Sequence, residues 1–328
     1  MKELLNYKNI LKFKIIILFF FVLYFLRKLN SLYSKSKFDI NFEYHNYQRQ
    51  MISERMKKYS FWQIGGEEPY FINGIIRKYK PKKCLEIGVA AGGSSIIILN
   101  AIKDIKNSFL ISLDLNTIFY QNNNFKTGYS VFKYFPELTK KWKLFTGEQS
   151  HKFLDKLNLK FDFLLLDTAH FSPGEIINMI EVFPFLEDNA IIVMHDIMLH
   201  LPSINRLKNM KPKYHPSNIF LMASLYGDKI IIKKKKKKIL HIANIGAIHL
   251  YSNQKKYYLS YFMLLLSPWE YMPSEEHIQE LRDFIKKYYK QEIYLDIFNK
   301  AVAENKIYIN TFKHICNSQN PLLLKYKL

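Results

Sequence analysis

Four short stretches of this 328-residue chain gather the residue types that do chemistry. The first reads Cys84-Leu-Glu86-Ile-Gly88-Val-Ala-Ala-Gly92-Gly93-Ser94-Ser95. An apolar run ends on an acidic residue, turns through glycines and opens a helix at Ser94. Gly88 and Gly92 allow a ligand to approach the backbone where a Cβ would collide with it. The N–H groups at the helix start suit a carboxylate or a phosphate. The second stretch is Phe109-Leu-Ile-Ser-Leu-Asp114, another apolar run closed by a carboxylate. The third and fourth are Asp167-Thr-Ala-His170 and His195-Asp196, each behind an apolar run of its own. A dinucleotide-binding turn needs G-x-G-x-x-G. The spacing here is E-x-G-x-x-x-G, which disfavours an oxidoreductase.

These residues do chemistry only if secondary structure brings them together. The pattern predicts helices at Pro69–Tyr79, Ser94–Asp104, Ser150–Leu157 and Glu175–Leu186. Between them it predicts strands at Cys84–Gly88, Phe109–Asp114, Lys143–Thr146, Phe161–Asp167 and Ala190–Met194. Short apolar runs joined by helices imply a parallel sheet covered on both faces. Right-handed crossovers make it doubly wound, with its ligand site at the carboxyl ends of the strands. Asp167 and Asp196 then project over the same rim as the glycine loop. Further on, Lys229–Ile232 and Asn244–Leu250 read as strands flanking the run Lys233–Lys238, taken as a solvated hairpin loop. Beyond Tyr257 the chain reads as mostly helical, with Ser274–Tyr289 the best-marked helix.

The acidic residue two before the first glycine, with Asp114 at the next strand end, resembles class I S-adenosylmethionine-dependent methyltransferases. The resemblance implies an α/β, doubly wound, mostly parallel seven-stranded sheet of Rossmann-like type. It also implies S-adenosyl-L-methionine held by Glu86, Gly88, Gly92, Ser94 and Asp114, the last accepting ribose hydroxyl hydrogens. D-x-x-H followed some two dozen residues later by His195-Asp196 resembles the metal-dependent sugar O-methyltransferase and cephalosporin-hydroxylase-like branch. Carried over, Asp167, Asp196 and His195 are metal ligands, Asp167 also catalytic, and His170 is the general base. Mg²⁺ favours oxygen ligands, whereas a histidine ligand suits Mn²⁺ or Fe²⁺ better. His195 has two other readings, a substrate contact or a support for Asp196. The chain departs from the branch at Asn189-Ala190, where Gly-Gly is frequent, and at Asn178, where an acidic residue is frequent. The implied reaction is O-methylation of a hydroxyl on a glycan sugar or small molecule, helped by a divalent metal. The alternative is a non-catalytic membrane-surface binding protein on the same scaffold.

Charge and composition bound the partners. Lys and Arg number 49 against 28 Asp and Glu, a formal net charge of +21. Only Arg27, Arg49, Arg55, Arg77, Arg206 and Arg282 are arginine, so the forked side chain that reads bases and phosphates is scarce. Nucleic acid is therefore not expected as a partner. Cys84 and Cys316 are the only cysteines, which excludes a disulfide scaffold. The unbroken apolar run Ile15–Leu26 makes about 18 Å of helix, and flanking lysines extend its reach by snorkelling. It is expected to be an uncleaved membrane anchor with the catalytic domain in the cytoplasm, where S-adenosylmethionine is made. The expected organisation is an anchor over 1–30, a linker and lead-in helix over 31–60, a methyltransferase domain over 61–252, and a helical extension over 253–328.

Overall fold

A computed structural model describes residue 64 and residues 68–168, 170–197, 217–233 and 242–311. The anchor expected at Ile15–Leu26, the whole linker over 31–60, Cys316 and the lysine run after Lys233 lie outside the described residues. Among the described residues no helix is long and apolar enough to cross a membrane.

The chain begins with helix α1 (Glu68–Tyr79), whose Phe71, Ile72, Ile75 and Ile76 share one buried face. Strand β1 (Lys83–Ile87) follows, then α2 (Gly93–Ile102), β2 (Phe109–Asp114), α3 (Tyr129–Tyr134) and β3 (Trp142–Thr146). Next come α4 (Ser150–Leu157), β4 (Phe161–Leu166), α5 (Gly174–Val182), β5 (Leu186–His195) and α6 (Ser217–Ser224). Strands β6 (Gly227–Lys233) and β7 (Ile242–Leu250) close the sheet, and α7 (Tyr258–Met263), α8 (Glu275–Tyr289) and α9 (Glu292–Thr311) follow.

The seven strands lie in the order β3-β2-β1-β4-β5-β7-β6. Pairing is parallel from β3 to β5, while β7 runs antiparallel to both β5 and β6. This is the mostly parallel, doubly wound sheet expected. Its middle is buried on both faces: Cys84 to Ile87, Phe163 to Leu166 and Ala190 to His195 are covered, with Glu86 and His195 the charged residues among them. Helix α2 is buried from Ser94 to Ile102, so it is enclosed by protein on every side. After β3 the chain returns to the far side of β1 and lays down β4, so the strand order reverses beside β1. A crevice opens at the carboxyl ends of the strands at such a point.

Two boundaries differ from the sequence expectation. The helix drawn to Leu186 ends at Val182, a 3₁₀ turn spans Phe183–Phe185, and Leu186 already belongs to β5. Pro184 lacks the N–H that would carry the helix on, and the apolar run Phe183-Pro-Phe-Leu186 conceals the change of period. The short helix Tyr129–Tyr134 was not expected within the long connection after β2.

Candidate active site

The glycine turn is shaped first by the protein itself. Gly88 has φ +91°, and a Cβ there would lie 1.7 Å from the carbonyl oxygen of Asp167. Gly92 has φ +95°, and its Cβ would crowd Val131 and Gly128. Both glycines are needed, but because neighbouring backbone passes close by. Ala90 also sits at positive φ, held by the amide bonds of Val89 and Ala90 to Asp114 Oδ2 at 2.8 and 3.0 Å.

Asp114 thus ties the loop after β1 to the end of β2. Its Oδ1 accepts from the Asn116 amide at 2.8 Å, so three backbone donors already occupy one carboxylate. A carboxylate has about four acceptor positions, so a ligand at Asp114 would share it with these donors. Burial raises its pKa against the pull of those amides.

Glu86 lies elsewhere than its expected place at the cofactor. It is fully buried, and its oxygens accept from the hydroxyls of Ser94, Ser95 at 2.6 Å and Ser112 at 2.5 Å. Ser112 is its register partner on β2 and in turn accepts from Trp142 Nε1 at 2.8 Å. Glu86 therefore binds β1, β2 and α2 beneath the loop, and burial pushes its pKa up to about 7. Ser94 reaches the cavity wall with its hydroxyl already given to Glu86.

Above the strand ends lies one cavity of about 240 Å³. One wall is the glycine loop with Asp114, and the β3–α4 turn at Gln149 and Ser150 forms another. Asp167 and His170, just past β4, line it as well. Tyr271, Ser274 and His277, from the segment expected as a helical extension, complete it. Of the residues named from the sequence, Gly88, Ser94, Asp114, Asp167 and His170 line the cavity, and Glu86, Gly92, His195 and Asp196 do not.

At the β4 and β5 ends, two carboxylates face two imidazoles. His170 Nε2 lies 3.0 Å from Asp196 Oδ2 and 3.5 Å from Asp167 Oδ1. His195 Nδ1 lies 3.0 Å from Asp167 Oδ1 and 3.6 Å from Asp196 Oδ2. His170 and Asp196 both adopt positive φ, which turns them into the cluster. Asp167, His170 and Asp196 offer ligand atoms within 4.8 Å of one another, a donor set fitting a divalent ion that tolerates nitrogen.

Burial opposes charge on His170, but Asp196 and Glu175 outweigh it and push its pKa up to about 10. Burial likewise opposes charge on His195, but Asp167 and Glu68 carry its pKa up to about 11. Burial alone would raise Asp196, yet the two histidines hold it down to about 2.

Two further carboxylates belong to this cluster. Glu175, in the first turn of α5, accepts from the His170 amide at 2.6 Å and lies 3.2 Å from its Nδ1. Glu68, at the start of α1, lies 3.1 Å from His195 Nε2. Glu175 stands five residues after His170, and an acidic residue opening a helix was the signal for it; Asn178 drew attention instead. Asn178 itself donates to Glu181 Oε2 at 3.2 Å. Nothing local marks Glu68, which lies 127 residues before His195.

Residues 85–197 match the family described as Methyltransferase domain. That span runs from β1 past β5 and takes in the glycine loop, Asp114, Asp167, His170, His195 and Asp196. The fold is similar to an O-methyltransferase from Streptomyces achromogenes, TomG, solved with S-adenosylmethionine (12% identity, TM-score 0.45, covering 62% of this chain and 89% of that one). It is also similar to an O-methyltransferase from Bacillus cereus solved with S-adenosylhomocysteine (12%, 0.44, 62% and 89%). A putative caffeoyl-CoA O-methyltransferase from Staphylococcus aureus aligns at 14% identity and TM-score 0.42 over 68% of this chain and 96% of that one. No curated protein matches the chain in sequence. The family match thus falls on the residues that build the site: residues 85–197 are similar to a methyltransferase domain.

Proposed function

We propose that the chain transfers the methyl group of S-adenosylmethionine to a hydroxyl of a small-molecule or glycan acceptor. The observation that carries this reading is one cavity lined by the glycine loop and Asp114 together with Asp167 and His170. A methyl donor held at the glycine loop and an acceptor hydroxyl at Asp167 and His170 would share that cavity, so the protein's main task is alignment. The expected cytoplasmic placement of the catalytic domain stays with this proposal and rests on where the methyl donor is made.

His170 and His195 divide the work by exposure. The His170 side chain is 19% exposed and lines the cavity, whereas that of His195 is 6% exposed and is held from behind by Glu68. His195 therefore suits a ligand or support role, because an imidazole backed by a carboxylate is typical of metal sites. His170 is the group placed to take the acceptor's proton, with Glu175 fixing its ring. A divalent ion held by Asp167 and Asp196 would offset the charge that keeps His170 protonated and would lower the pKa of the acceptor hydroxyl.

The test measures methyl transfer from labelled S-adenosylmethionine to a panel of sugar and phenolic hydroxyls. Asp167→Ala should lower turnover at least about 10²-fold, in line with losing an acid–base or charge-stabilising group. Calorimetry should show cofactor binding within a few-fold of wild type. Full activity of that variant would remove the assigned role, and no cofactor binding by wild type at millimolar concentration would remove the whole reading.

A further inference from the structure

A second cluster of ligating side chains reaches the cavity at His277. Glu181 of α5 is fully buried, and its Oε1 is approached by His151 Nδ1 of α4 at 2.8 Å and His277 Nε2 of α8 at 3.6 Å. One ligand atom from each of the three lies within 4.8 Å of the others. The His277 Nε2 is buried and has no hydrogen-bond partner among the described residues. The two imidazole rings lie nearly parallel, with centroids 5.8 Å apart and planes at 10°.

The surroundings of the cluster hold these atoms in place. Glu181 Oε2 is engaged by the Ser150 hydroxyl and the Asn178 amide, which leaves Oε1 turned towards the histidines. His151 turns its other nitrogen, Nε2, to Glu280 Oε2 at 3.4 Å, and Glu280 is steadied by Lys152 at 2.7 Å. A hydrogen-bonded ligating carboxylate, and a ligating imidazole whose second nitrogen faces a carboxylate, are the outer-layer contacts that orient metal ligands.

We propose that His151, Glu181 and His277 form a second cation site, for a zinc-class divalent ion, joining α8 to α4 and α5 at the cavity wall. Bonds of about 2.0–2.2 Å to nitrogen and oxygen place tetrahedral ligand atoms about 3.3 Å apart, close to the spacing present. Two imidazoles and one carboxylate are a softer set than the carboxylate-rich cluster at Asp167, so the two sites should prefer different metals. A water from the cavity, which His277 and Ser150 line, would fill the fourth position. The assignment does not depend on the chemistry at Asp167.

Chelator-stripped full-length protein is dialysed against Co²⁺, and bound metal and visible absorption are measured. His277→Gln should hold one equivalent fewer than wild type and lose the absorption of four-coordinate Co²⁺. Glu280→Gln should keep the absorption and bind Co²⁺ about 10–100-fold more weakly. An unchanged equivalent count and unchanged absorption in His277→Gln would overturn the site. Should that variant not fold, zinc X-ray absorption on protein carrying Asp167→Asn and Asp196→Asn decides. Imidazole scattering at about 2.0 Å is then expected, and oxygen-only coordination or no bound zinc would overturn the site.

Discussion

Three serine hydroxyls hold the fully buried Glu86 carboxyl, and that environment sets how it titrates. Burial raises its pKa from 4.5 to about 7. Between those values the folded chain keeps a proton that the unfolded chain has released, so folding stability falls as pH rises through this window. Above about pH 7 the penalty is complete. Glu86→Gln stays neutral throughout and avoids it. Urea unfolding at pH 5 and pH 8 should therefore show the variant gaining on wild type by up to about 3 kcal/mol at the higher pH. A difference independent of pH would show that the carboxyl ionises without penalty. The residue types at Glu86, Asp114, Asp167 and Asp196 mark strand ends plainly in the sequence. Their partners do not show there, because Ser112 meets Glu86 through strand register and Glu68 meets His195 through tertiary packing.

Among the elements, β1 and β4 are the pair on which the site depends. Their ends pass so closely at Gly88 that one methyl group has no place to go. Gly88→Ala would also force a side chain into a left-handed backbone. We expect a destabilisation of at least about 3 kcal/mol by denaturant unfolding, above the usual range for overpacking alone. Unfolding at the wild-type midpoint would mean that the two strands can separate freely. Most strands were legible because parallel strands buried on both faces form short apolar runs of their own. The Leu186 boundary was not, since Phe183 to Leu186 is apolar whether read as helix or strand. The connection after β2 hid its helix for another reason. Phe119, Tyr120, Phe125 and Tyr129 pack there as a local aromatic cluster with no helical period to announce it.

At the scale of the molecule, the residues after Tyr257 belong to the same compact unit as the sheet. Tyr261 stacks on Phe183 with centroids 4.7 Å apart, and the Tyr289 hydroxyl donates to the Ile180 carbonyl at 2.5 Å. Glu270 grips the loop beyond His170 twice, its N–H donating to the Ser172 carbonyl and its carboxylate accepting from the Ser172 amide, each at 2.8 Å. Trp269 beside it is fully buried, with its backbone amide on Asn305 and its indole N–H on Leu265. Trp269→Ala should cost about 3–5 kcal/mol in chemical unfolding. Methyl transfer should fall with it even where the protein remains folded, because the His170 loop loses its anchor. Wild-type turnover in folded variant would separate the extension from catalysis.

The order of the strands leaves β3 and β6 as the outer members of the sheet. Such edges are templates on which another chain can add a strand. On β3 the exposed Lys143 stands at that border, and β6 leads directly into five more lysines after Lys233. A second copy pairing along β3 would bring its own Lys143 to the same border. A charged side chain on an outer strand is one of the features that discourage such strand-to-strand pairing.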